Sequence, residues 1–221
     1  MENIQNDFLL NSEVEFDIPT NVLDEIQSNI QNIIENFDIP DENKTEVLYK
    51  INQMYSQTKQ LTLTDSLTGL YNRRHFDTTL SREFSRAKRY NSQLSLAIID
   101  VDFFKNVNDN YGHSTGDFVL KEIAYKLLNA FRLSDFVFRY GGEEFAIIFP
   151  ETSLSDAKIP LERLRKCIEN TEFKNSKGVI KLTISIGVGE VDEFITNVYD
   201  FFDSVDEKLY EAKENGRNKI V

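Results

Sequence analysis

Cysteine and histidine are scarce in this sequence of 221 residues, which has one Cys and two His. The single cysteine, Cys167, excludes a disulfide within the chain, and so few Cys and His provide no zinc-binding cluster. Because disulfide-free chains are typical of reducing compartments, we expect the protein to be cytoplasmic.

Long apolar runs are also missing. No run approaches the roughly 20 residues that a membrane-spanning helix needs. The first ten residues, MENIQNDFLL, lack the basic segment and the apolar core of an export signal. We therefore expect neither a membrane span nor secretion.

Positive charge is scarce as well, and the shortage is uneven. Residues 1–60 contain 12 Asp and Glu against three Lys, whereas residues 61–221 contain 25 acidic against 22 basic residues. A phosphate backbone would repel such a chain, so we do not expect nucleic-acid binding. A small anionic ligand could still bind where a few cations converge.

The first 60 residues show helical periodicity. Apolar residues recur at spacings of three and four, which predicts two amphipathic helices over about 20–36 and 41–60. Their apolar faces need a partner, and two interpretations are open: a helical hairpin packed on its own domain, or a stalk that forms a dimer. Two heptads are too few to identify a coiled coil.

Strands and helices alternate after residue 61. The run LSLAIIDVD at 94–102 is short, apolar and ends in carboxylates, as expected of a buried strand. Pro160 is expected to kink a helix or to shift its start. The fold class is therefore α/β, with a mixed central sheet flanked by helices and a small all-helical N-terminal segment before it. The predicted helices span about 73–90, 115–131, 155–170 and 198–215.

The stretch FRYGGEEFAII, residues 138–148, places two glycines and two carboxylates between apolar strands. A two-residue hairpin turn needs positive φ, which glycine adopts without steric cost, so Gly141 and Gly142 are predicted to form such a turn. That turn does not account for Glu143 and Glu144, whose like charges repel each other. A divalent cation would compensate them.

A second carboxylate cluster follows the first core strand. Asp100 and Asp102 are two residues apart, so they share a face in an extended chain. Asp102 is expected to cap a short helix that starts near Phe103, which leaves Asp100 as a candidate Mg²⁺ ligand. If the two strands are neighbours, Asp100 and Glu143 would converge on one ion. The N–H groups near Phe103 would then face a phosphate at the helix N-terminus.

Other residues match a nucleotide ligand. The turn-rich segment NVNDNYGHSTGD contains Asn108, His113 and Asp117, and a carboxylate that accepts from the N1–H and the exocyclic amine selects guanine over adenine. Lys213 and Arg217 are four residues apart on the last predicted helix, so they share a face and could hold the outer phosphates. Taken singly, such a pair is more often solvated surface, and the histidine is more often structural.

Together these segments resemble the GGDEF-domain diguanylate cyclase family. Glutamate at position 143 is the common alternative to the aspartate that names the family. The resemblance covers roughly residues 62–221, with the motifs in the family's order. The matching stretches are DSLTGLYNRR (65–74), IDVDFFKNVNDNYGHSTGDFVL (99–120), RYGGEEF (139–145) and LYEAKENGRN (209–218).

The resemblance implies a palm-like fold that condenses two GTP into cyclic di-GMP and releases two pyrophosphates. It implies two Mg²⁺ or Mn²⁺ ions per active site, held by Asp100, the carbonyl of Val101 and Glu143, which would activate the 3′-hydroxyl. It also implies Glu143, Glu144 and Lys105 as catalytic residues, and which glutamate is the base stays open. The residues implied to bind GTP are Phe103, Phe104, Lys105, Asn108, His113, Asp117, Lys213 and Arg217.

The family's reaction also implies a homodimer, because each domain binds one GTP and the two substrates react with each other. Residues 1–60 would then be a regulatory and dimerisation segment, and residues 61–221 the GGDEF domain. The stretch RLSD resembles the family's RxxD product-inhibition site, so Arg132 and Asp135 would bind cyclic di-GMP, with Arg163 as a second cationic arm. The alternative for this pair is an ordinary surface ion pair.

Three functions are compatible with these motifs. The first is an active cyclase regulated through its N-terminal segment. The second is a degenerate relative that senses GTP or cyclic di-GMP without turnover, and the third is a helical interaction protein with an idle domain. A degenerate copy is expected to lose at least one of Asp100, Glu143 or Lys213, and all three are present.

Overall fold

The computed structural model describes residues 20–36 and 41–221. The chain divides into two compact units, Met1–Thr62 and Leu63–Val221. Residues 1–19 and 37–40 of the predicted N-terminal segment lie outside the described residues.

The N-terminal unit contains the two predicted helices, α1 (Thr20–Asn36) and α2 (Asp41–Leu63). The helices are antiparallel, because Gln27 donates to Asn52 at 2.7 Å while Tyr55 donates to Asp24 one turn away along each helix. Large apolar side chains on both helices remain exposed, including Ile33 on α1 and Met54 on α2.

The second unit is a sheet flanked by helices, as the sequence predicts. Its strands are β1 (Leu94–Val101), β2 (Phe136–Arg139), β3 (Glu144–Pro150), β4 (Phe173–Asn175), β5 (Gly178–Ile180) and β6 (Ile184–Glu190). Its helices are α3 (Arg73–Tyr90), α4 (Phe104–Tyr111), α5 (His113–Ala130), α6 (Leu154–Glu169) and α7 (Val198–Glu214).

The main sheet has the strand order β2-β3-β1-β6, and β4 and β5 form a separate two-stranded sheet. All paired strands are antiparallel. Within residues 20–36 and 41–221, parallel pairing is limited to two single bridges, Tyr71 with Phe138 and Ile186 with Ile220. The sheet is therefore antiparallel in its ladders with a parallel bridge at each edge strand, and helices flank it, which agrees with the expected α/β class.

Apolar side chains cover both faces of the sheet, which accounts for the nearly continuous apolar runs of β1 and β3. Residues such as Ile99 and Phe145 pack against α4, α5 and α6. Their neighbours in sequence, such as Ile98 and Ala146, pack against α3 and α7. Asp100 follows the second set in the alternation, so its side chain lies on the face that α7 covers.

Helix α6 begins at Leu154, where the hydroxyl of Ser153 accepts from the backbone N–H of Asp156 at 3.1 Å. This capping interaction fixes the start of the helix. Pro160 lies inside the helix, so the expected shift of the start does not occur.

Candidate active site

The carboxylates of the two acidic motifs meet at one end of the sheet. Asp100 lies directly opposite Glu144 in the register of β1 and β3, so their side chains share a face. The backbone N–H of Val101 donates to the carbonyl of Glu143 at 3.3 Å. The structure thus brings Asp100 and the Glu143-Glu144 pair together, as expected from neighbouring strands.

These carboxyl groups carry poorly compensated negative charge. Burial raises the pKa of Asp100, although the hydrogen bond from Lys213 opposes the rise. Burial also raises the pKa of Glu143 and of Glu144, and the charge of Asp100 raises both further. A group of carboxylates in this state is stabilised by an added cation.

This set of donors fits a divalent cation. Carboxylate and carbonyl oxygens are the ligands that Mg²⁺ and Mn²⁺ prefer, and Mg²⁺ sites commonly use only one or two carboxylates. Across residues 20–36 and 41–221, no group of three or more His, Cys, Asp or Glu could hold a metal ion by itself. Substrate phosphates and water would therefore complete the coordination of an ion held by Asp100, Val101 and Glu143.

Two cationic side chains lie beside the carboxylates. Lys213, in the last turn of α7, places its Nζ 2.8 Å from Asp100 Oδ2. Arg217 lies beyond the end of α7 with φ of 61°, so the expectation that it shares a helix face with Lys213 is wrong. Its guanidinium still reaches the site, where it stacks 4.5 Å above the ring of Phe103.

The segment after β1 presents backbone donors to the same region. Phe103 has φ of 57° and is exposed, while Phe104, the first residue of α4, is buried and anchors the helix. The first N–H groups of an α-helix have no partner within the helix and attract anions. Lys105 is exposed in this first turn, where its charge favours a phosphate.

Asp102 has a structural role that differs from the predicted helix cap. No side chain caps α4. The Asp102 carboxylate instead accepts from the hydroxyls of Thr183 and Ser185 at 2.6 and 2.7 Å, and from the backbone N–H of Asn218 at 3.1 Å. Asp102 therefore ties the end of β1 to β6 and to the segment that follows α7.

The prediction of positive φ at the two glycines is wrong. Neither Gly141 nor Gly142 has a left-handed backbone, and the turn is longer than two residues, because the N–H groups of Tyr140 and Gly141 both donate to the Glu144 carbonyl. An added Cβ at Gly141 would lie 2.6 Å from Glu144 Oε2, the flexible end of that side chain, so a larger residue there would displace the Glu144 carboxylate. The missing side chain leaves room for the Glu144 carboxylate.

The residues implied to bind guanosine lie on α4 and α5. Asn108 on α4 packs against Gly116 of α5 so closely that an added Cβ there would lie 2.0 Å from Asn108 Oδ1. Asp117 follows Gly116, and His113 lies one turn earlier on the same helix, both exposed. Asn108 therefore lies beside the helical turn of α5 that carries Asp117. Among the described residues, no contact assigns a role to His113.

Comparison with known proteins identifies the family. Residues 62–219 match the family model described as "Diguanylate cyclase, GGDEF domain". The chain belongs to the GGDEF diguanylate cyclase family. Over 169 residues it is 38% identical to Diguanylate cyclase A of Treponema denticola, a match that covers 75% of this chain and 46% of that protein. The chain therefore spans less than half the length of this curated relative.

Solved GGDEF structures support the same assignment. The coiled coil and GGDEF domain of DgcB from Caulobacter crescentus, solved with cyclic di-GMP, matches with a TM-score of 0.77 and 30% identity, over 81% of this chain and 95% of that one. The cyclase SiaD from Pseudomonas aeruginosa, solved with its activator SiaC, matches with a TM-score of 0.70 and 33% identity, over 91% of this chain and 79% of that one.

The three residues expected at a product-inhibition site line one cavity. Arg132, Asp135 and Arg163 surround a space of about 340 Å³ together with Pro160 and Ile159 of α6. The Arg132 backbone N–H donates to Asp135 Oδ2 at 3.0 Å. Arg163 therefore lines the same cavity as Arg132 and Asp135, and the position of Pro160 in α6 does not prevent this.

The sequence pattern did not identify the residues whose side chains hold the backbone segments of the site in place. Arg139 pairs with Asp65 and donates to the Gly142 carbonyl at 2.8 Å, which holds the GGEE turn. Arg165 of α6 donates to Asn218 Oδ1 at 2.7 Å. A signal was available for three of these residues, because Asp65, Arg139 and Asn218 are polar members of recognised motifs that no ligand role had explained.

A membrane span is not found in the described part of the chain, where no helix is long and apolar enough to cross a bilayer.

Proposed function

We propose that the chain is a diguanylate cyclase that condenses two GTP molecules into cyclic di-GMP. The observation that carries the proposal is the arrangement around Asp100. Asp100 lies opposite Glu144 in the sheet, and Lys213 Nζ lies 2.8 Å from Asp100 Oδ2. This arrangement combines oxygen ligands for a divalent cation with a cation for phosphate, at the end of a buried strand. The intact set argues for turnover, since a protein that only senses the nucleotide has no need of it.

The reaction balances as two identical displacements. The 3′-oxygen of each GTP forms a bond to the α-phosphorus of the other, the bond between the α-phosphorus and the bridging oxygen breaks, and pyrophosphate leaves. Each 3′-hydroxyl proton passes to Glu143 or Glu144, whose raised pKa makes it a better proton acceptor than an ordinary carboxylate. Bound Mg²⁺ or Mn²⁺ would supply charge stabilisation at the α-phosphate.

The family resemblance and the positions of the side chains support the following binding roles. Asp117 and Asn108 hold the guanine edge and the ribose side, with His113 beside them. The N–H groups at the start of α4, together with Lys105, bind phosphate oxygens. Lys213 and Arg217 hold the outer phosphates, and Phe103 supports the Arg217 guanidinium.

Catalysis requires a homodimer, because a 3′-hydroxyl and an α-phosphorus from different GTP molecules must meet. The exposed apolar side chains of α1 and α2, such as Ile33 and Met54, support a dimerisation role for the N-terminal helices. SiaD, which matches 91% of this chain, is solved with an activator protein. Control of this cyclase through its N-terminal helices by a bound partner fits the same layout.

Product inhibition at the Arg132 cavity completes the proposal. Two arginines and a carboxylate around about 340 Å³ can bind a guanine edge and a phosphate together.

The test is an assay of GTP turnover with Mg²⁺, analysed by nucleotide chromatography over a range of protein concentrations. We expect cyclic di-GMP and pyrophosphate in a 1:2 ratio, with specific activity rising as the dimer forms. Glu143→Ala should abolish product. The matched control is Glu193→Ala, because Glu193 is exposed and follows β6 at the end remote from Asp100. GTP binding without product would show a sensor instead of an enzyme.

A further inference from the structure

The segment after α7 has an unusual backbone that needs external support. Gly216, Arg217 and Asn218 have φ values of 98°, 61° and 47°. Arg217 and Asn218 are two successive residues with a Cβ in the left-handed region, which such residues rarely adopt. Such a conformation persists only where the surroundings hold it.

Asn218 provides that support through nearly all of its polar groups. Its backbone N–H donates to Asp102 Oδ2 at 3.1 Å, and its Nδ2 donates to Glu169 Oε1 at 2.7 Å. Its Oδ1 and its carbonyl both accept from Arg165 Nη1, at 2.7 and 3.4 Å. Arg165 is therefore the donor that satisfies Asn218 on the side of α6.

Arg165 is itself held rigidly before it reaches Asn218. Its Nε and Nη2 donate to the two oxygens of Glu162, each at 2.8 Å, and its Nη1 donates to Glu169 at 3.1 Å. These glutamates lie three and four residues away on the same helix, and the Arg165 side chain is only 12% exposed. A guanidinium fixed on two sides loses little further freedom when it binds Asn218.

The residue held in this way is adjacent to Arg217. Arg217 stacks on Phe103 at 4.5 Å, and Asp102, which binds Asn218, is adjacent to Phe103. Both sides of the Arg217–Phe103 contact are thus anchored through Asn218. A shift of Asn218 would move the Arg217 guanidinium away from the region where the phosphates are expected. It would leave the carboxylates of Asp100, Glu143 and Glu144 in place.

We propose that Arg165 is a positioning residue for substrate binding, which through Asn218 holds Arg217 where it meets the outer phosphates of GTP. This inference rests on the proposed function, because it takes GTP as the ligand. Arg165 acts only through Asn218 and does not itself contact the substrate. Its loss should weaken GTP binding and leave the chemical step at saturating GTP nearly unchanged.

The experiment compares Arg165→Met, Arg217→Ala and the double variant by the KM for GTP and by equilibrium binding of fluorescent mant-GTP. We expect Arg165→Met to raise KM and Kd about tenfold, with kcat within about twofold. The double variant should bind no more weakly than Arg217→Ala, because both changes remove the same interaction. The control is Lys166→Met, since Lys166 is exposed and pairs with Glu162 from the next position.

Several outcomes would overturn the inference. Unchanged KM and Kd in Arg165→Met would do so, as would additive effects of Arg165→Met and Arg217→Ala. A lower Tm with unchanged nucleotide affinity would show that Arg165 only stabilises the fold. If the wild-type chain binds mant-GTP but makes no cyclic di-GMP, the proposed function fails. The mant-GTP affinities of the variants would then still show whether Arg165 positions Arg217. A wild-type chain that does not bind GTP would contradict both.

Discussion

Arg139 Nη1 lies 3.0 Å from Asp65 Oδ1, and the same guanidinium donates through Nη2 to the carbonyl of Gly142 at 2.8 Å. Asp65 belongs to the segment before α3 and Gly142 to the turn that carries the two glutamates. This ion pair therefore ties the loop before α3 to the turn of the candidate active site. Both side chains are largely shielded from water, at 15% and 22% exposure.

Removing this ion pair should weaken both stability and turnover. Arg139→Met removes the cationic partner of the partly buried Asp65 and leaves it with the hydrogen bonds from Thr68, which should lower the free energy of unfolding by about 2 kcal/mol. The freed Gly142 carbonyl should also loosen the turn and lower kcat. Urea unfolding and the cyclase assay measure the two effects, with Arg89→Met, an exposed arginine of α3, as the control. Wild-type stability in Arg139→Met would contradict the prediction.

The pKa values of Asp100, Glu143 and Glu144 should depend on Lys213. Burial raises the pKa of Asp100 while the Lys213 hydrogen bond and charge lower it, and the charge of Lys213 also lowers the pKa of Glu143 and Glu144. Lys213→Met should therefore move all three titrations to higher pH.

Carboxyl ¹³C NMR of the metal-free protein measures this shift directly. The ionised carboxylates are the forms that bind a cation, so the acidic limb of the kcat profile should move to higher pH as well. Lys121→Met, on the exposed side of α5, is the control. A lower pKa of Asp100 in Lys213→Met than in the wild type would contradict the prediction.

Product inhibition should depend on Arg132. Arg132→Ala should relieve inhibition by added cyclic di-GMP and leave initial rates near those of the wild type, because the cavity of about 340 Å³ does not include the carboxylate cluster. Arg163→Ala should have the same effect, since both arginines line that cavity. Initial rates with increasing cyclic di-GMP measure it, and inhibition that persists in both variants would rule the site out.

The contact between β6 and α7 should tolerate no side chain at Gly187. An added Cβ there would lie 2.3 Å from the Val205 carbonyl and 2.4 Å from the Leu209 nitrogen, both backbone atoms that cannot rotate away. Gly187→Ala should destabilise the fold by about 2 kcal/mol or more.

Gly189 provides the matched comparison, because the nearest atom to its added Cβ is the Val205 Cγ2 methyl carbon at 2.9 Å, followed by Lys208 Nζ. Gly189→Ala should therefore cost less. Thermal unfolding of the two variants tests the order, and a larger loss in Gly189→Ala would contradict it.

The sequence was a good guide where local chemistry controls the structure. Helix α3 spans Arg73–Tyr90 as the pattern predicts, because apolar periodicity and the Asn72 cap act within a few residues. The sequence predicted that Asp100 would meet the two glutamates if their strands were neighbours, and the pairing of β1 with β3 meets that condition. The family motifs likewise pointed to Arg132, Asp135 and Arg163, which the structure gathers around one cavity.

The wrong predictions concern positions where distant contacts override local preference. Gly141 and Gly142 do not take the positive φ of a tight hairpin, because the Arg139 contact and the Glu144 carboxylate shape a longer turn. Asp102 does not cap α4, since Thr183, Ser185 and Asn218 provide donors from other elements. Arg217 is the exception, because a local signal ends the helix: Gly216 has φ of 98° and the Arg217 N–H donates to the Ala212 carbonyl at 3.0 Å.

The sequence by itself therefore determined the order of the elements, the apolar faces and the identity of the charged groups, because these depend on spacing along the chain. Only the tertiary structure decided which charged groups support one another. Arg165 and Asn218 are 53 residues apart, and Asp65 and Arg139 are 74 apart. Pairs at such distances arise from the packing of helices on the sheet, and no local periodicity encodes them.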